Sequence, residues 1–588
     1  MMRVLRYWHT LRHLRPVQFY GRLWFRLPRP RPVERPAPAL RRPEPNWVAP
    51  VVRPMSMLGP ECFRFLNVTR TVVGPGAWND PACDKLWLYN LHYFDDLNAA
   101  DAAARTDRQR ALLRRWVAEN PPGVGNGWEP YPTSLRIVNW IKWALAGNAL
   151  PPECLQSLAM QAGWLRRRLE YHLLGNHLFA NAKALVFAGA FFVGPTAGTW
   201  RVLGQRLLVR ELREQILPDG GHFERSPMYH AILYEDVLDL INLAGAYPET
   251  AAPELSAFYR DCAQAMAHWL KVMCHPDGDI SFFNDAAMGI APTLAQLVDY
   301  GGRLGLEVAA TSSAPRLQRA RASVVWLSHS GYVRLEAGSA VALLDVAPIG
   351  PDYLPGHAHA DSLSFELSLF GQRVIVNGGT SCYGSGPERL AERGTAAHST
   401  VQLDGADSSE VWGGFRVARR ARPLDVRVEP MPTCDLGASR GRDPRANQGA
   451  EAGECPLVVD GPLRVTAAHD GYRRLSGRPI HRRTWELTPG RFAVTDVIEG
   501  VFGVAIARFH LHPEIAAEIG GEGGQGRLHL PGGQVVRWSL GGGQASLVPA
   551  VWHPGFGCSV PTHCLELTLI GVGCRLGLDW SALDGAGQ

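Results

Sequence analysis

The sequence has no CxxC pair. Its eleven cysteines are scattered over 588 residues. That argues against a structural zinc finger and gives no disulfide framework, so most of them read as small buried apolar side chains. No GxxxxGK[ST] loop occurs, nor a GxGxxG between a strand and a helix, so nothing points to a nucleotide enzyme. No apolar run reaches the length of a membrane span. The start, MMRVLRYWHTLRHLRP, breaks every apolar run with charge and lacks the h-region of a signal peptide. Charge is modest, at 20% charged residues and a net +5. That balance does not suggest a general nucleic-acid binder.

What is present is enough for two or three domains, since one hydrophobic core does not hold 588 residues. The positive charge is concentrated. Residues 1–42 hold eleven arginines and a single acid, Glu34, interleaved with Trp8, Phe19, Tyr20, Trp24 and Phe25. This reads as a basic arm packed on the body, or as a surface for anionic lipid or polyanion. Residues 28–55, rich in proline and arginine, read as an extended connector. From about 133 to 305, apolar residues recur at three- and four-residue spacing in some six or seven successive segments. Helical hairpins wrapped round one core follow from that, with a groove where the inter-helix loops gather. Near 320 the texture changes to short alternating runs parted by glycine, the signature of an antiparallel sandwich. Residues 433–460 read as a loop insertion, and 516–545 as hairpins. The expected organisation is an arm over 1–55, a helical toroid over 56–310 and a β-sandwich over 320–588. The fold class is multidomain α+β.

Polar residues collect at element boundaries in a few places. LLGNHLFANAK puts Asn176, His177 and Asn181 at a helix start, where Asn176 could equally be an N-cap. In LPDGGHFERSPMYHAILYEDVLDL, Tyr229 and His230 follow the turn PDGGH and the helix start Ser226-Pro227; a lone tyrosine there is commonly structural. GHAHADSLSFEL carries His357, His359 and Asp361 just before a strand pattern. VIVNGGTSCYG places Asn377 at a strand end, and ERLAERGTAAHSTV places Arg389, Arg393 and His398 before another. His359 and His398, with a carboxylate or amide between, are either a metal site of zinc type or a hydrogen-bonded polar pocket. Residues two apart on an extended segment share a face. Separate roles for His357 and His359 therefore require a bend.

These stretches, in this order and with helices before strands, resemble the heparinase II/III family of polysaccharide lyases over roughly residues 85–588. The resemblance implies an (α/α) toroid followed by antiparallel sheets. It also implies β-elimination on a uronic-acid polysaccharide without an organic cofactor. The C5 proton is weakly acidic, so the uronate carboxylate must be neutralised, a base must take the proton and an acid must protonate the departing O4. Carried over residue by residue, Asn176 neutralises the carboxylate and His177 is a base or polarises that site. Tyr229 is the acid, or acid and base in turn, and His357 completes the cleft from the β-domain. His230, Arg389, Arg393 and Arg416 are expected to bind the acidic substrate, the arginines through bidentate contacts. His359 and His398 match positions that ligate a structural zinc in some relatives. Here Asn377 stands where those relatives carry an aspartate, and Ala180 stands where an acid is common. The substrate class implies the cell envelope or periplasm, whereas the missing export signal fits the cytoplasm. Two rival readings are a non-catalytic carbohydrate-binding or assembly protein of exopolysaccharide production, and hydrolysis by carboxylates among Asp219, Glu224 and Asp285.

Overall fold

The computed structural model describes residues 2–27, 32, 35–307, 322–430, 457–459, 461–520 and 524–580. The chain opens with two short helices, α1 (Met2–Leu11) and α2 (Pro16–Arg26). The first half of the basic arm is thus helical, a feature its charge pattern did not announce. Residues 35–60 run largely without regular structure over the toroid surface, as the proline content implies.

The toroid follows as α3 (Lys85–Tyr93), α4 (Thr106–Glu119), α5 (Pro130–Leu145), α6 (Pro152–Leu165), α7 (Gly175–Phe191), α8 (Pro195–Gln215), α9 (Pro227–Ala246), α10 (Pro253–Met273) and α11 (Leu294–Arg303). Proline opens α5, α6, α8, α9 and α10, where its missing N–H is not needed. α7 is buried on almost every face, so its apolar residues are continuous rather than striped. It packs chiefly between α5 and α8 and touches α6 and α9, and it carries the Asn176-His177 pair at its first turn. One expected helix stops early. α6 ends at Leu165 although the apolar spacing runs on to 174. Residues 169–174 instead form a turn that brings Glu170 back onto α7.

The C-terminal part is two antiparallel sheets. One contains the meander 322–327, 332–337, 340–345, 365–369 and 372–376 and continues through 505–511, 560–569 and 543–552. The other contains 423–429, 463–469, 480–488, 491–499, 573–579, 535–541, 525–529 and 516–519. Of the hairpins expected over 516–545, the strands 516–519, 525–529 and 535–541 form two, whereas 543–552 crosses to the other sheet and pairs with 560–569. Most of the loop read at 433–460 lies outside the described residues. Burial alternates along 480–488, as it must when one face meets the partner sheet. The inner faces share one apolar core, and the toroid has its own. Val376, Trp552 and Phe556 of the sandwich pack into the toroid core, which joins the two parts. Arg483 is buried between the sheets. It pairs with Asp496 and donates to the carbonyls of Leu363 (2.8 Å) and Ser399 (2.7 Å). It thereby anchors the loops that carry His357, His359 and His398.

Candidate active site

A cavity of about 520 Å³ opens between the toroid and the sandwich. Asn176, His177, Tyr229 and His357 all line it, together with Tyr383 and Phe415 from the sandwich. Residues 181 positions apart in sequence (Asn176 to His357) thus meet at one seam.

Each residue is held there by local backbone. Leu174 and Gly175 both adopt positive φ, 65° and 53°, and this turn starts α7 with Asn176 and His177 facing the cavity. A Cβ on Gly175 would lie 2.4 Å from Leu354 Cδ2 and 3.0 Å from Glu224 Oε1. Gly175→Ala is therefore expected to cost about 1–2 kcal/mol from the backbone alone. It should also lower any activity, because it displaces the turn beneath His177. Denaturant unfolding measured beside turnover checks both. Arg225, also at positive φ (60°), turns the chain into α9. Ser226 then caps the helix by accepting from the Tyr229 N–H at 3.1 Å. That places Tyr229 in the first turn, at the cavity wall.

His177 Nδ1 lies 3.2 Å from Glu170 Oε1, and the ring packs on Tyr131. Asn181 positions Glu170, accepting from its N–H (2.9 Å) and donating to Oε2 (3.1 Å). The early end of α6 thus supplies the carboxylate that Ala180 lacks. Burial disfavours a charged His177, but Glu170, with Glu224 and Glu129 further off, outweighs it and raises the pKa. The Tyr229 hydroxyl is 2.8 Å from that of Tyr383, and its ring stacks on His357 with centroids 3.8 Å apart. Burial, then Tyr383 and Asp285, push the Tyr229 phenol well above its ordinary range. It is held as a neutral phenol.

Asp285 organises the other side. Its carboxylate meets His357 Nδ1 at 2.9 Å and His359 Nε2 at 2.8 Å, and Arg389 clamps it through both guanidinium nitrogens. Burial opposes its ionisation, but Arg389 and the two histidines hold the carboxyl well below its usual range. An ionised Asp285 accepts the His357 Nδ1–H, which leaves Nε2 to take or give a proton. His357 Nε2 is 3.6 Å from Glu224. Both Glu224 oxygens are buried without a hydrogen-bond partner, and burial raises its pKa. A turn at Gly356-His357 separates the two histidines, so that His357 lines the cavity and His359 faces His398, yet both rings reach one carboxylate. Asn284 stitches this loop to the toroid, donating its N–H to Asp361 Oδ2 (2.9 Å) and accepting from the His359 N–H (3.0 Å).

Several expected roles move. Arg389 is fully buried on Asp285, so it positions that carboxylate and does not meet a substrate. Arg393, also fully buried, donates to the carbonyls of Ala358 and Gly413 and braces the histidine loop. Arg416 is exposed over the Trp412 ring and does not line the cavity. His230 is buried, with Nε2 on the Met266 carbonyl (2.9 Å), Nδ1 accepting from the His222 N–H (3.2 Å) and its ring on Trp269. Both its nitrogens are used, so it too is structural. Asp219 holds the Ser330 N–H and hydroxyl. Neither it nor Glu224 nor Asp285 lines the cavity, and no carboxylate pair of the hydrolytic kind is formed by these three.

The zinc expectation can be tested on the donors. His359 Nδ1 and His398 Nε2 face each other at 3.2 Å, and burial lowers the two pKa values to about 4 and about 3. Asn377 does not join them. Its Oδ1 accepts from the Ser399 N–H (3.0 Å) and its Nδ2 donates to Ser364 (3.3 Å). Among the described residues no group of three or more His, Cys, Asp or Glu converges to hold a metal ion. Two neutral imidazoles and an engaged carboxamide are not a tetrahedral zinc donor set, so the residues present do not fit. A carboxamide in place of a carboxylate keeps the hydrogen bonds and loses the charge.

The floor of the cavity is charged but balanced. Arg53 pairs with Glu235, Lys142 with Asp239 (2.5 Å), and Lys183 with both Asp236 and Asp239 (2.5 Å each).

Fold and site define a two-part protein, a helical toroid closed by an antiparallel sandwich, with titratable side chains gathered at the seam. The family pattern described as heparinase II/III N-terminus matches residues 89–300, and that described as heparinase II/III-like, C-terminal, matches residues 319–573. The chain belongs to the heparinase II/III family. It is 25% identical over 273 residues to a heparin-sulfate lyase of Bacteroides stercoris, covering 45% of this chain and 40% of that protein. It is 25% identical over 321 residues to that of Pedobacter heparinus, covering 49% and 46%. The match thus spans less than half the length of either lyase. A longer match, 25% over 469 residues and covering 74% of this chain and 71% of the other, is to FtsZ-localized protein C of Caulobacter vibrioides. Among solved structures, heparinase III shares the fold with a TM-score of 0.62 at 16% identity, over 87% of this chain and 78% of that one. The heparan sulfate lyase of Pedobacter heparinus does so with 0.55 at 18%, over 88% and 81%.

Proposed function

We propose that this chain cleaves a uronate-containing polysaccharide by β-elimination at the toroid–sandwich seam. The observation that carries the reading is the meeting of a neutral Tyr229, a carboxylate-oriented His357 and a Glu170-paired His177 around one cavity. Asn176 and His177, whose protonated form Glu170 favours, neutralise the uronate carboxylate and so stabilise the enolate-like intermediate. His357 Nε2 takes the C5 proton, its tautomer set by Asp285. Tyr229 gives its phenolic proton to the departing O4, and Tyr383 offers the hydrogen bond that receives the resulting charge. The product carries a 4,5-unsaturated uronate. Mass analysis of digests tests this directly, because elimination fragments are lighter by one water than hydrolytic ones. A folded protein that yields no unsaturated fragment from any uronate polymer would sink the proposal.

The balanced floor favours a polymer of low charge density. Cations already held by Asp236, Asp239 and Glu235 have little attraction left for a row of sulfates. Turnover on unsulfated uronate polymers is expected to exceed that on heparin at equal ionic strength, by comparison of initial rates.

Glu170→Gln tests the role of His177. Removing the carboxylate lowers the His177 pKa, so the basic limb of the kcat/KM profile should move to lower pH. The same pair links to stability. Because the folded pKa is raised, its contribution is complete below the unfolded histidine value and is lost as pH rises through the folded one. The variant should lose stability on the acid side and little above that window, as urea titrations across pH would show.

A second reading has one observation behind it. The relative matched over 469 residues is named for localisation to FtsZ and not for catalysis. Binding of a polymer without cleavage, at an affinity indifferent to Tyr229→Phe, is what that reading expects.

A further inference from the structure

The first two helices turn their apolar faces outward. α2 docks on the toroid through Gln18, Gly21 and Phe25, which are three and four residues apart and share one face. Gln18 donates to the Tyr353 carbonyl (3.1 Å), Gly21 abuts His172, and Phe25 packs on the His172 ring. The opposite face is Phe19, Tyr20, Leu23, Trp24 and Leu27, all exposed, with Leu23 at 69%. α1 repeats the arrangement. Its inner face uses Arg6 on Glu410, Tyr7 on the Trp412 ring and Thr10 accepting from Trp412 Nε1 (3.1 Å). Its outer face shows Val4 at 72%, Trp8 at 62% and Leu11. A helix at a protein surface ordinarily does the reverse. Ten exposed large apolar side chains in 24 residues are more than scattered exposure explains.

The flanks of both helices are basic. Arg12, Arg22 and Arg26 are exposed, and the hairpin that holds α1 adds Arg416. Burial, then Arg416 and Arg26, lower the Arg22 pKa, which marks a local concentration of positive charge. The nearby acids are already engaged: Glu410 with Arg6 and Arg419, Glu214 with Arg15, and Asp352 with Arg420 and Arg422. Among the described residues no helix is long and apolar enough to cross a membrane. The pattern is that of helices lying in an interface, with aromatics and leucines towards acyl chains and arginines at headgroup level.

We propose that α1 and α2 are an interfacial anchor that holds this protein against an anionic lipid bilayer. The anchor is coupled to the cavity. α1 is seated on the segment Val411–Val417, and Phe415 of that segment lines the cavity wall. The catalytic cleft is thereby set close to the surface the anchor binds.

The full chain should co-sediment with phosphatidylglycerol–phosphatidylethanolamine vesicles at least tenfold more than with phosphatidylcholine vesicles, and raised salt should weaken the binding. Trp8→Glu combined with Leu23→Glu, at side chains that point away from the body, should lower the bound fraction about tenfold. Thermal unfolding and action on soluble uronate oligomers should stay unchanged. Equal sedimentation with both lipids, or binding untouched by the double variant, overturns the proposal. So does a double variant that loses self-association or polymer binding while keeping its affinity for vesicles, since the surface then belongs to a second copy or to polysaccharide. The vesicle measurement needs no turnover, so it succeeds or fails separately from the lyase reading.

Discussion

Tyr229→Phe should lower turnover by about a hundred- to ten-thousandfold while leaving polymer affinity within about twofold. That range is what a positioned general acid ordinarily contributes. The substitution removes one oxygen and keeps the ring, so the stacking on His357 at 3.8 Å persists. The loss also frees the Tyr383 hydroxyl, which is 2.8 Å from the Tyr229 oxygen and can turn to water in the open cavity. Stability should therefore change little. The expected signature is a kcat defect with KM nearly constant, because in the proposed elimination the phenol would act on the departing oxygen and not on ground-state binding. Unchanged kcat would remove Tyr229 from the chemistry and leave the cleft a binding site.

Asp285→Asn should damage both fold and activity. The carboxylate is buried and answers Arg389, His357 and His359 at once. Its removal leaves the fully buried Arg389 guanidinium without a counter-charge, and breaking such a pair costs about 3–5 kcal/mol. The carboxamide can accept on one side only. Its NH2 would face either His357 Nδ1 or His359 Nε2 and force that ring into the other tautomer. Where His357 is the ring affected, Nε2 carries the hydrogen and can no longer accept the C5 proton. A second variant separates the two effects. Pairing Asp285→Asn with Arg389→Met removes the orphaned charge and should recover much of the stability by denaturant titration. Turnover should remain low in that double variant, because His357 is still without its carboxylate. Recovery of both together would show that Asp285 acts only as a structural counter-ion.

Much of this architecture could be read before any coordinates. Three- and four-residue spacing located α5 and α7 to α10 within a few residues, because those helices bury broad faces in one core. The change to alternation near 320 located the sandwich for the same reason. Asn176, His177, Tyr229 and His357 were legible because each sits in a short motif at an element boundary. Tyr383 was not. It lies in TSCYG beside the quoted Asn377, and no local pattern marks a tyrosine whose partner is 154 residues away. Glu170 was read as part of a continuing helix. Its role depends on α6 ending at Leu165, which tertiary packing decides and spacing does not.

Arginine was the residue type most misjudged. Arg389 and Arg393 are next to chemistry in the sequence and so were assigned to substrate. In the fold they are buried, one neutralising Asp285 and the other bracing the loop of His357 through carbonyl oxygens. A guanidinium offers five donors of fixed geometry and serves either purpose equally well, so residue type alone does not choose between them.

For GHAHADSLSFEL, sequence by itself set two histidines just ahead of a strand pattern. Which group each ring meets was decided only by tertiary structure, since a turn at Gly356-His357 stands where an extended segment would have put both rings on one side. The toroid loop at 284–285 crosses beneath the sandwich, and one carboxylate reaches both rings and the arginine behind them. Periodicity reports which side chains leave water. It carries no record of which distant charge they meet there, because that pairing is made by chain segments far apart in sequence.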